Sequence, residues 1–140
     1  MNFELKFLTL HLKETRNSAF KKGIDFYNMG KYFEAHEILE FQWKKEKDEM
    51  KLFLQALVQI CIAMNKIWVK PNFKGAKSLA SKALNKLNIL HESPQTTPEG
   101  KKYITYLIVK LNSFLELFQD KHPDFTTYSP PLLKQIDFYR

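Results

Sequence analysis

The chain has little that breaks a helix and almost nothing that could staple a fold. Only 4 of its 140 residues are glycine and 6 are proline. Such sparse breakers argue against a sandwich or barrel of many short, turn-linked strands. A single cysteine, Cys61, excludes an intramolecular disulfide. It lies within the apolar run Ile60-Cys61-Ile62-Ala63-Met64, where a thiol serves as packing material, and it points to a reducing, cytoplasmic setting. The first residues place Glu4 and Lys6 where a signal peptide needs an unbroken apolar stretch. The most hydrophobic region, 52–69, is interrupted by Gln55, Gln59, Asn65 and Lys66. Four polar groups are too many for a helix in lipid, so no membrane insertion is expected.

Arginine is also scarce. Of 22 basic residues only Arg16 and Arg140 are not lysine, in a chain of net charge +7. The excess is uneven: 50–91 holds seven lysines and no acid, whereas 31–50 holds six acids against four lysines. A basic block attracts nucleic acid by charge alone. Base and phosphate recognition favours the arginine fork, however, and neither arginine lies in the block. A solvated lysine face is the favoured reading, and nucleic acid is not an expected partner.

What is present is apolar and aromatic: 44% hydrophobic residues, with 12 Phe and 6 Tyr. That is ample for one continuous core, and it argues against disorder. The expected architecture is a single all-α domain over 1–140, a bundle of about five helices built from antiparallel hairpins. The first helix is expected at 18–29, with Asn17 or Ser18 as its cap and Gly30 as its terminator. The second, 32–45, follows so closely that the two form a tight hairpin. The third, 49–69, is apolar around most of its axis except for a stripe of Gln55, Gln59 and Lys66, which suits a central helix. The fourth, 72–90, gathers Ala76, Ala80 and Ala83 on one face and permits close approach. Thr97 and Pro98 open the fifth, 98–119. The apolar, proline-containing tail, 120–140, either folds back along the bundle or crosses to a partner chain.

The second helix carries the one chemically suggestive pattern. Residues four apart stack on a helix, so His36 and Glu40 meet side by side, and Trp43 follows on the same general side. An imidazole and a carboxylate so placed can share a divalent metal ion or form a proton-transfer pair. Glu37 could assist from the adjacent strip. The bland reading is an amphipathic helix whose polar face is solvated, with Glu40 paired to Lys44, and the residues alone favour it. Zinc also wants at least three protein ligands, and His11, His91 and His122 sit in no ligand spacing. Gln55 and Gln59 either reach across to His36 and Glu40 in a buried network or form the solvent side of their own helix.

The run from Phe26 to Trp43, with Asn28, Gly30, Phe33, His36, Glu40 and Trp43 at fixed positions, resembles the family called domain of unknown function 309. So do Phe53-Leu54-Gln55-Ala56-Leu57-Val58-Gln59 and Asn72-Phe73-Lys74-Gly75-Ala76, so that the resemblance spans about 20–90. It implies an all-helical fold with no settled activity. It also implies a His-x-x-x-Glu-x-x-Trp pattern, here His36, Glu40 and Trp43, that has been suggested to bind metal. One departure is Ala56, where the family usually has glycine. The family pattern raises a defined role, structural or chemical, above mere solvation. The leading expectation is an interaction or scaffold module with a protein partner or a second copy of the chain. The alternative is a metal-binding protein or metal-dependent hydrolase using His36 and Glu40 as ligands and Glu37 more weakly. Nucleic-acid binding through the lysine face is the weakest reading.

Overall fold

A computed structural model describes residues 3–135, with side chains placed from residue 16 onward. Five α-helices follow in order: α1 (Phe3–Asn28), α2 (Tyr32–Trp43), α3 (Asp48–Trp68), α4 (Phe73–Glu92) and α5 (Pro98–Glu116). A 3-10 turn, Leu117–Gln119, closes the last. The fold is an all-α bundle, 73% helical, with no strand among the described residues.

Local chemistry sets most of the boundaries. Gly30 adopts φ +81°, and its N–H bonds the Tyr27 carbonyl while the Lys31 N–H reaches back to Phe26. That pair of bonds is the Schellman ending that glycine makes cheap, and it turns the chain straight into α2. Asn72 caps α4 by accepting from the Gly75 N–H at 3.0 Å, and Thr97 caps α5 by accepting from Gly100 at 3.0 Å. Pro98 fills the first turn of α5, where a missing N–H costs nothing. The expected start of α1 is corrected. The helix begins at Phe3, so Asn17 and Ser18 lie inside it and cap nothing. Residues 3–17 contain neither glycine nor proline, so nothing local ends the helix before then.

Each helix packs on the next, and α3 lies at the centre, most extensively against α4 and α2. Ala76, Ala80 and Ala83 are fully buried, and their small side chains bring α4 close to its neighbours. Phe53 of α3 meets Phe20 of α1 and Tyr103 of α5, joining three helices through one ring. α3 alone among the described helices is long and apolar enough to cross a membrane, yet 61% of its apolar window is buried within the bundle, as in a core helix.

The tail folds back along α5. Phe125 is enclosed by Trp68, Phe73, Phe114 and Phe118. Tyr128 then bonds the Lys110 carbonyl, the Leu132 N–H bonds the Tyr106 hydroxyl, and the Lys134 N–H bonds the Tyr103 hydroxyl. Gln135 reaches the Asn17 carbonyl of α1. Of the two expected paths for the tail, the described part takes the intramolecular one; the end of the tail, from Ile136, lies outside the described residues.

Candidate functional site on the second helix

α2 has no internal glycine or proline, and it buries Ala35, Leu39 and Gln42. Those three positions share one face, which forces His36, Glu40 and Trp43 towards a second face and Glu34, Glu37 and Phe41 towards a third.

His36 is held within its own helix. Its Nδ1 lies 2.6 Å from the Phe33 carbonyl oxygen. A carbonyl only accepts, so Nδ1 carries the proton and Nε2 is the nitrogen left for other chemistry. Nε2 lies 3.6 Å from Glu40 Oε2, too long for a hydrogen bond, and the two form an ion pair only when the ring carries a second proton. The Phe33 ring stands edge-on to the imidazole with centroids 4.8 Å apart. The His36 side chain is only 13% exposed, and that of Glu40 is 38% exposed. Glu40 therefore pairs with His36, not with Lys44.

The other expected members are distributed less tidily. Glu37 is exposed and lines the groove, turned about 100° round the helix from His36. Trp43 is half-buried with an indole N–H that has no partner, and Gln59 Oε1 is likewise buried and unpaired. Gln55 is half-buried. Of the two alternatives for these glutamines, a network with the His36–Glu40 pair shows no hydrogen bond, and a fully solvated stripe does not fit their partial burial. Asn28 ends α1, Gly30 makes the turn, and Phe33 supplies the carbonyl that orients His36. Among the described residues no group of three or more His, Cys, Asp or Glu side chains converges to hold a metal ion. On the neighbouring surface, burial raises the Tyr32 phenol above its ordinary value, with the Cys61 thiol a smaller contributor.

Two features here escape sequence reasoning. The first is a buried carboxylate. Glu46, just beyond α2, is 4% exposed and accepts from Arg16 and from Gln42. In the sequence Glu46 sits in the charge run Lys44-Lys45-Glu46-Lys47-Asp48, which reads as solvated surface; the only hint is the four-residue spacing from Gln42. The second is an open groove of about 960 Å³ between α1 and α2. Ala19, Phe26 and Met29 line it from α1, and Ile38 and Phe41 from α2. Met29 and Phe41 are 61% and 66% exposed.

Both features and the His36–Glu40 pair belong to a single stretch of chain, the α1–α2 hairpin with α3 behind it. Residues 20–79 match the domain of unknown function DUF309. The matched segment takes in the last third of α1, all of α2 and α3, and the start of α4. It holds His36, Glu40, Gln42, Trp43 and Glu46, while Arg16, α5 and the tail fall outside it. No curated protein and no solved structure matches the chain.

Proposed function

We propose that the protein is an interaction module that docks a helical segment of a protein partner in the groove between α1 and α2. The carrying observation is the groove itself, whose apolar floor of Phe26, Ile38 and Phe41 is left open, with Phe41 66% exposed. An apolar groove between two helices accepts an amphipathic helix through its apolar stripe. The polar face of α2 supports the same reading, because His36 satisfies Nδ1 on its own helix and braces the surface instead of reaching outward. The buried Cys61 thiol fits a reducing, cytoplasmic setting. The test is paired capture from an extract of the producing cells, using the wild-type chain and Ile38→Asp as baits. The reading expects proteins that are retained by the first and lost by the second. Identical capture by the two baits would overturn it.

A second reading is favoured by one observation. His36 donates Nδ1–H to a backbone carbonyl and presents Nε2 beside a carboxylate, the arrangement seen in metal-ligating histidines. Here His36 and Glu40 would bind a divalent ion, with the remaining positions filled by water or by groups of the partner. Metal analysis of protein purified without a histidine tag tests it. A chain with no stoichiometric metal and no melting shift with zinc, manganese or nickel would rule it out.

A further inference from the structure

We infer that the corner between α3 and α4 docks the protein on an anionic lipid surface. This corner is separate from the groove between α1 and α2, so either reading can fail without the other. Adsorption of this kind leaves α3 in the core and crosses nothing.

Seven consecutive residues at the corner, Trp68 to Lys74, are exposed. Trp68 is 40%, Val69 60% and Phe73 42% exposed. Three large apolar side chains in so short a stretch exceed the scattered singles of an ordinary surface. Trp68 and Phe73 both stand against the Phe125 ring, so the two aromatics form one patch. The corner is also not a slack loop. The Val69 and Lys70 N–H groups both donate to the Asn65 carbonyl, the Asn72 N–H donates to the Lys66 carbonyl, and the Asn72 side chain caps α4. The backbone is thereby fixed with its apolar side chains already bare to solvent.

The charges around the patch choose the partner. Lys66, Lys70, Lys74 and Lys77 lie within it or about one helical turn from it, and 66–77 holds no acid. The Lys66 stem runs against α4, its Cδ 3.0 Å from where a Cβ on Gly75 would stand. Lys110 joins through Tyr128, whose ring stacks on Trp68 and lies 5.7 Å from Lys110 Nζ. Glu116, Asp120 and Asp124 flank Phe118 and Phe125 at this end of the bundle, but Asp124 already accepts from the Thr126 N–H and hydroxyl. Lys121 lies between the last two, so lysines outnumber acids here six to three.

A lipid surface matches this combination. Tryptophan and valine settle at headgroup depth while long lysine stems reach the phosphates. Lysine, a hydrated point charge, suits a diffuse anionic layer, where shaped phosphate recognition would call for arginine. A single-stranded nucleic acid would stack on aromatic faces, but Tyr128 lies against Trp68 at 14° and Val69 offers no ring. A run of consecutive exposed residues also gives a partner helix no groove to enter.

The experiment is co-sedimentation of the full chain with vesicles, either pure phosphatidylcholine or equal parts phosphatidylcholine and phosphatidylglycerol. The expected result is binding to the mixed vesicles alone, weakened by salt. Val69→Asn should lower the partition coefficient roughly fivefold, and the pair Lys70→Glu, Lys74→Glu roughly tenfold or more. Ile89→Asn and the pair Lys101→Glu, Lys102→Glu make the same changes at exposed positions towards and beyond the far end of α4, whose 20 residues span ~30 Å. These controls should stay within about twofold of wild type. Circular dichroism checks that every variant is folded. No binding to the mixed vesicles, or equal losses in corner and control variants, overturns the inference. So does a chain that ignores vesicles and instead binds a single-stranded oligonucleotide through Lys70 and Lys74.

Discussion

Arg16 grips Glu46 with two parallel hydrogen bonds, Nε to Oε1 at 2.9 Å and Nη2 to Oε2 at 3.0 Å, while Gln42 Nε2 reaches the same Oε1 at 2.9 Å. This ties the middle of α1 to the chain just past α2 and leaves the nearly buried carboxylate with three donors. Removing one partner of such a pair strands the other. Arg16→Ala is therefore expected to cost about 3 kcal/mol in urea unfolding. Arg16→Lys should recover only part, because an ammonium cannot span both oxygens. The double variant Arg16→Met, Glu46→Leu should recover most of it, since no buried charge remains. Equal losses for the single and double variants would mean that packing, not the charge pair, holds this junction.

Gly23 and Gly30 are needed for different reasons. A Cβ at Gly23 would stand 2.8 Å from two side-chain carbons of the fully buried Leu39. Gly23→Ala should destabilise by about 1–3 kcal/mol through this clash, despite the better helix propensity of alanine. Gly30 has open space around it but a φ of +81°, so Gly30→Ala should cost about 1 kcal/mol through backbone strain alone. Thermal melts of the two variants separate the causes. Leu39→Val should relieve the first loss in a double variant and leave the second unchanged.

His36→Ala should lower stability by about 1 kcal/mol, because the Phe33 carbonyl loses its donor and Glu40 its neighbour. A chelator should leave the wild-type melting temperature unchanged if His36 is only a brace. A melting temperature that falls on chelation, with His36→Ala insensitive to it, would favour the metal reading instead.

Alkaline pH should destabilise the bundle. Burial raises the phenols of Tyr103 and Tyr128 above the ordinary tyrosine value of about 10. A group whose folded pKa is raised contributes stability below its unfolded pKa, and that contribution fades as pH climbs above it. Stability should therefore be flat below about pH 10 and fall above it. Tyr128→Phe should reduce the fall. Fluorescence-monitored denaturation at stepped pH measures this.

Cys61 is fully buried, and burial pushes its thiol up. It should resist a thiol reagent in the native state and react only as the chain opens, at a rate that rises with denaturant. Fast labelling in buffer would show that α3 is less enclosed than its packing indicates.

Much of the fold was legible in the residues. Thr97 with Pro98 marks a helix start, Gly30 marks an end, and the nearly unbroken apolar surface of α3 marks a centre. Each signal is local, because capping and periodicity act within a few residues. The long α1 was only half legible: Asn17 and Ser18 suit a cap, but continued helix needs no cap. The candidate site was legible only as a pattern. That His36 meets Glu40 follows from a four-residue spacing, and so does the reach from Gln42 to Glu46.

The sequence by itself therefore determined an all-helical chain with α3 at its heart and a His36–Glu40 pair on α2. Only the tertiary structure decided which polar residues are buried and which apolar ones are left bare. Glu46 belongs to a charge run that any local reading sends to solvent, and Arg16, thirty positions away, is what makes its burial tolerable. Phe41 has the composition of a core residue, yet it stands open because α3 packs on another side of α2. Burial is settled by which faces meet, and that depends on contacts between residues far apart in the chain.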